Sequence, residues 1–211
     1  MGTFNEIAIK SWKRKAQYEF FKDYEDPFFN ITADVEIGNL LSFVKRNQLS
    51  FNLSFLFYSQ KVIQSIPEFK TRIEGDKVLE YERIHCGSTI LMPDQTFSYC
   101  YFAYSDDVFE FNKLGRESIN QLILHKDFNP REGEADIIHY SSIPWISFNS
   151  IKHPRKFGKN DSIPKIVFGK YRMSEGKLVL PVSVEAHHAL MDGYHLGLYF
   201  DGLKDEFQGL T

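Results

Sequence analysis

Only two cysteines, Cys86 and Cys100, stand among the 211 residues of the chain, and both lie in apolar or aromatic sequence. A disulfide framework is therefore excluded as the source of stability, and free buried thiols are the expected state. No apolar run approaches the roughly 20 residues of a membrane span. The start, MGTFNEIAIKSW, has neither an apolar signal core nor a small-residue cleavage site, so a cytoplasmic chain without a membrane partner is expected. Positive charge is not in excess: 25 Lys and Arg stand against 28 Asp and Glu, a formal net charge of -3. A nucleic-acid partner would find no basic patch. Walker loops, GxGxxG fingerprints, internal repeats and Pro/Gly linkers are all missing, and one domain over residues 1–211 is expected.

What is present is apolar and aromatic. Hydrophobic residues make up 43% of the chain and aromatics 16%, with 20 Phe and 11 Tyr. Such residues fill cores, interfaces and apolar pockets. Residues 28–36 alternate apolar and polar like a half-buried strand. Ile37, Leu40, Leu41 and Val44 then recur at helical spacing. A second helix is expected from Ser50 to Ile66, where Phe51, Phe55, Tyr58, Val62 and Ile66 share a stripe that Pro67 closes. From Phe69 to Tyr104 the pattern is strand-like, with a turn at Glu74-Gly75-Asp76. Val108 to Leu124 reads as helix. Ile137 to Phe148, Ile163 to Met173 and Lys177 to Glu185 read as strands, the last two joined at Ser174-Glu175-Gly176. Lys152 to Asp161 reads as a polar surface loop. Leu196, Tyr199, Phe200, Leu203 and Phe207 return to helical spacing. This mixture gives an α/β fold, a two-layer sandwich with one mixed sheet covered on a face by helices.

The chemistry-bearing segment is Val182 to Tyr199, VSVEAHHALMDGYHLGLY. A strand ends in two adjacent histidines that face different directions, because successive side chains of an extended chain alternate. Asp192-Gly193 then turns the chain toward a helix. Three arrangements fit these residues taken alone. One is a strand end with satisfied histidines and a turn-forming Asp-Gly. Another is a metal site from His188, Asp192 and His195. The third is a general base with an aspartate holding its loop.

HHALMDG resembles the H-H-x-x-x-D-G motif of the chloramphenicol acetyltransferases, and Ser141-Ser-Ile-Pro144-Trp145 upstream is similar to that family's S-x-x-P-W segment. Trp12-Lys-Arg14, Pro67-Glu-Phe69-Lys-Thr-Arg72, Thr96-Phe97-Ser98 and Gly169-Lys170-Tyr171 extend the likeness from about Asn5 to Phe207. The resemblance implies a chloramphenicol-acetyltransferase-like sandwich assembled as a homotrimer with active sites between subunits. It implies acetyl transfer from acetyl-CoA, used as a co-substrate without a metal, to a hydroxyl of a small molecule. Chloramphenicol leads among the acceptors.

On the same resemblance His188 is the base, Ser141 the oxyanion donor, and Asp192 pairs with Arg14 to fix the loop behind the histidine. Trp145, Lys170 and Tyr171 match coenzyme contacts. Phe20, Phe21, Phe97 and Phe128 match the acceptor pocket. His187 is expected to pack, and His195 to lie on a helix face.

The acceptor side departs from the family's pattern. Phe21 stands for a tyrosine, Glu25, Ile151, His153 and Arg155 fall at other apolar or aromatic positions, and Ser50 replaces a coenzyme-neutralising lysine. Cys86 and Ser88 match polar pocket positions. A more polar acceptor or a reshaped loop follows, since buried polar groups must be paired. An acetyltransferase for a different alcohol and a non-catalytic ligand-binding relative are the alternatives.

Overall fold

The computed structural model describes residues 2–131, 133–155 and 161–210. In chain order they form β1 (Phe4–Glu6), α1 (Lys15–Phe21), β2 (Phe28–Glu36), α2 (Gly38–Arg46), α3 (Phe51–Gln64), β3 (Thr71–Glu74), β4 (Lys77–Tyr81), β5 (His85–Leu91), β6 (Phe97–Phe102), α4 (Val108–His125), β7 (Ile137–Ser142), β8 (Lys165–Phe168), β9 (Arg172–Ser174), β10 (Lys177–His187) and α5 (Gly193–Gln208). The main sheet runs β2-β10-β8-β7-β5-β6, with β9 paired to the start of β10. It is mixed: β7 lies parallel to both neighbours, and the other pairs are antiparallel.

Helices cover one face of this sheet, α5 over β2 and α4 over β6, with α3 between them. The α3 helix explains the arrangement. Ser50 caps it by accepting from the Leu53 N–H, and Phe55, Leu56 and Ile63 are wholly buried. Burial runs unbroken from Leu53 to Gln60 and takes in Ser54 and Ser59, so α3 is a core helix on every side there. Each buried apolar side chain contributes about 1.5–3 kcal/mol by leaving water.

Strand alternation divides the sheet cleanly. Ile138 and Tyr140 of β7, with Val182, Val184 and Ala186 of β10, enter the helix-covered core. Their neighbours His139, Ser141, Ser183, Glu185 and His187 therefore point to the opposite, more polar face.

The α/β sandwich read from the sequence is present, with three corrections. A second sheet, β1-β4-β3, packs beside the main one, so the sheet is not single. The α1 helix went unread, because it buries only Tyr18 and lacks a side-chain N-cap, leaving no stripe to detect. The strand expected to reach Phe148 ends at Ser142, where Pro144 and Trp145 turn the chain. Residues 156–160 of the expected polar loop lie outside the described residues.

Candidate active site

β10 delivers His187 and His188 to the end of the sheet. The two rings part there, as alternation requires. His187 is buried, its Nδ1 accepting from the Ala189 N–H at 3.2 Å. Burial, reinforced by the Arg155 charge, drops its pKa to about 4, so it is a neutral packing residue.

His188 is held quite differently. Its backbone N–H donates to the Pro27 carbonyl at 2.8 Å, and its own carbonyl accepts from Arg14 at 3.4 Å. The ring lies against Phe21 at a centroid distance of 4.2 Å and leans on Phe29 at 4.6 Å. Nδ1 is buried and meets no hydrogen-bond partner among the described residues, which leaves Nε2 as the outward nitrogen. An imidazole fixed at both backbone groups and gripped by two rings is suited to proton transfer at one defined atom.

The support beneath it is ionic. Arg14 NH1 donates to Asp192 Oδ2 at 2.8 Å, across 178 positions of sequence. Asp192 also caps α5, Oδ1 accepting from the Tyr194 N–H. Burial opposes ionisation of Asp192 more than any single partner favours it, but its bond to Arg14, the neighbouring His195 and Arg14 charges and the Tyr194 N–H together hold the carboxyl below the usual range. His195 completes the cap: its Nδ1 accepts from the Asp192 N–H at 3.1 Å, while Nε2 faces Glu68 at 3.4 Å. His195 Nδ1 also lies 3.0 Å from Asp192 Oδ1, an ion pair only for a protonated ring. Because the backbone N–H can only donate, the capping arrangement is the one the neutral ring adopts. Both nitrogens of His195 are thus engaged, and His188, Asp192 and His195 do not converge as a metal ligand set.

Ser141 stands elsewhere, on the open face of β7. Thr89 Oγ1 donates to its Oγ at 3.2 Å, leaving the Ser141 hydroxyl proton free to donate outward. Both line a groove of about 1370 Å³ together with Phe97, Trp145, His153 and Lys165. Sheet register fixes how far this groove is from the histidine. Ser141 pairs with Val167 and Val167 with Ser183, and His188 follows Ser183 by five residues. Two strand spacings and five residue rises put the two positions about 19 Å apart within one chain.

The aromatic residues singled out from the sequence divide in the same way. Phe20 and Phe21 cluster with Tyr24 on the His188 side. Phe97, Tyr99 and Phe128 cluster on the Ser141 side. Phe20 is 62% exposed, Phe128 64% and Trp145 62%, so these rings are not core packing. Lys170 and Tyr171 are also exposed, just after Gly169. A Cβ on Gly169 would sit 2.8 Å from the Ile146 carbonyl and 2.9 Å from the Phe148 ring. Glycine is needed there for Lys170 to reach the Ile146 carbonyl and lie beside the Trp145 turn.

Two expectations are corrected. Cys86 and Ser88 are fully buried, Cys86 within the helix-side core; alternation along β5 gives the groove face to Thr89 instead. The Arg155 guanidinium binds Asp161 at 2.9 Å, bonds Glu185 and lies over the Phe28 ring. Its charge is spent inside the protein rather than offered to an acceptor. Thr89, Phe29 and Glu68 escaped the sequence reading, since each acts through a contact between distant strands or turns that no local pattern marks.

A family model described as chloramphenicol acetyltransferase matches residues 2–204. A chloramphenicol acetyltransferase of Clostridium perfringens is 30% identical over 205 residues, covering 96% of this chain and 94% of that one. One from a Klebsiella species is 25% identical over 210 residues, covering 98% and 96%. A solved chloramphenicol acetyltransferase superposes with a TM-score of 0.89 at 29% identity, covering 99% of this chain and all of that one.

Proposed function

The chain belongs to the chloramphenicol acetyltransferase family, and from that premise we propose that it moves an acetyl group from acetyl-CoA to a hydroxyl of a small alcohol, with chloramphenicol the leading acceptor. The observation that carries the reading is the division of the machinery into two half-sites about 19 Å apart in one chain. Catalytic contacts are about 3 Å. The separation favours a site between copies, and the family resemblance makes the assembly a homotrimer in which His188 of one subunit faces Ser141 of the partner subunit.

The acceptor hydroxyl gives its proton to His188 Nε2, and its oxygen attacks the thioester carbonyl carbon. Negative charge develops on the carbonyl oxygen, where the Ser141 hydroxyl donates to it. Collapse of the tetrahedral intermediate breaks the C–S bond. The departing thiolate takes the proton back from His188, so no acyl-enzyme and no metal are needed. Trp145 and Tyr171 offer aromatic faces to the adenine, and Lys170 offers an ammonium to the phosphates. Phe20, Phe21, Phe97 and Phe128 line the acceptor site with apolar surface.

The reading treats residues 1–211 as one acetyltransferase domain. Among the described residues no helix is long and apolar enough to cross a membrane. Both thiols are free, which fits a cytoplasmic location. The test is a screen of alcohols with acetyl-CoA, following release of the free thiol. Turnover by the wild-type protein that falls at least about 10²-fold in His188→Ala is expected. Turnover unchanged by that substitution would overturn the assignment of the base.

A further inference from the structure

A chain of buried contacts continues beyond Asp192 to residues outside the proposed reaction. Glu68 lies in the 3-10 turn Pro67–Lys70 that follows α3, and it is 7% exposed. Its Oε1 lies 3.4 Å from His195 Nε2 and 3.1 Å from the exposed Lys13 ammonium. His195 is equally buried. With Nδ1 accepting from the Asp192 N–H, its ring proton must sit on Nε2, the nitrogen 3.4 Å from Glu68 Oε1. Burial alone would raise the Glu68 pKa, yet its hydrogen bonds and the neighbouring Lys13 and His195 hold it down, so the carboxylate stays ionised.

We propose that Glu68 is a positioning residue for His188. It fixes the tautomer and orientation of His195, His195 fixes the Asp192 corner, and Arg14 carries that corner to the His188 carbonyl. The path runs through Glu68 Oε1, His195 Nε2 and Nδ1, Asp192, Arg14 and the His188 oxygen, with no link longer than 3.4 Å. Shared contacts in a buried polar network restrict the geometry of each member, and here Arg14 bonds through both terminal nitrogens while its Nε is buried without a partner among the described residues. Removing Glu68 would leave the His195 N–H buried without an acceptor, and the ring would then turn or exchange tautomers.

The inference rests on the assignment of His188 as the base, so its test has one arm that needs no acetyl transfer. Glu68→Leu removes the acceptor, whereas Glu68→Gln keeps an amide oxygen in its place. His195→Asn keeps an acceptor for the Asp192 N–H but cannot span to Glu68, and it serves if Glu68→Leu does not fold. With acetyl-CoA and chloramphenicol, Glu68→Leu or His195→Asn is expected to lower kcat about tenfold or more at unchanged acetyl-CoA KM, and Glu68→Gln to recover it to within about threefold of wild type. In the second arm, ¹⁵N-edited spectra of the histidine rings should show one sharp His188 tautomer in the wild type and Glu68→Gln, and a broadened or mixed one in the other variants. A wild-type kcat, or a loss carried by the acetyl-CoA KM, overturns the proposal. If no transfer is seen even in the wild type, the functional reading fails, and an unchanged His188 spectrum then overturns the positioning role separately.

Discussion

The rings of Phe21 and His188 are stacked almost parallel, 4.2 Å apart at an interplanar angle of 3°. Phe21 comes from α1 and His188 directly follows β10, so the contact ties a peripheral helix to the end of the sheet. A tyrosine at position 21 would keep the stack and add a hydroxyl at its rim. Phe21→Tyr is expected to raise chloramphenicol kcat/KM by about three- to tenfold, the worth of about one hydrogen bond, without changing the KM for acetyl-CoA. Steady-state kinetics in both substrates checks it, and a change confined to acetyl-CoA would contradict the assignment of Phe21 to the acceptor side.

The Arg14–Asp192 pair makes a prediction about acid. Asp192 has a depressed pKa in the folded state, so its contribution is full above the ordinary carboxylate value of about 3.9 and is lost as pH falls through the lower folded value. Its side chain is 35% exposed, so screening limits the coupling to about 1–2 kcal/mol. A double-mutant cycle with Arg14→Ala and Asp192→Asn should return that value near neutral pH, and progressively less as pH falls through the lowered Asp192 pKa. Equal melting temperatures for wild type and both single variants at neutral pH would refute it.

Much of this was legible in the chain. The β10 apolar run, the α3 stripe closed by Pro67 and the Asp192-Gly193 turn into a helix are local signals, because strand patterning, helix periodicity and turns are set within a few residues. HHALMDG points to His188 as the proposed base only through the family resemblance, because its residues alone fit three arrangements. What resisted reading depends on pairing. Thr89 matters through its hydroxyl on Ser141, 52 residues away, and Arg155 could not be seen as neutralised until Glu185 and Asp161 were brought beside it. Cys86 and Ser88, matched to pocket positions by the resemblance, are instead buried, because the face that each β5 residue takes is fixed by its neighbours in the sheet, β6 and β7.

In the core, Ser59 Oγ bonds the hydroxyls of both Tyr140 and Tyr199 at 2.7 Å. Tyr199 has no part in the proposed reaction. Tyr199→Phe should cost about 1 kcal/mol, which lowers Tm by about 2–4 °C for a chain of this size. Transfer kinetics should not change. Calorimetry and the thiol-release assay on one preparation check both halves.

The two half-sites can be tested by complementation. His188→Ala should be nearly inactive for want of a base, and Ser141→Ala should lose about 10²–10³ in kcat for want of the oxyanion donor. Each variant keeps the half-site that the other lacks. In a cyclic trimer assembled at random from equal amounts of both, about one interface in four pairs an intact His188 with an intact Ser141. Co-expressed variants should therefore recover about a quarter of wild-type transfer activity. Recovery near that level supports a reaction centre built between subunits; a mixture no more active than its two components would contradict it.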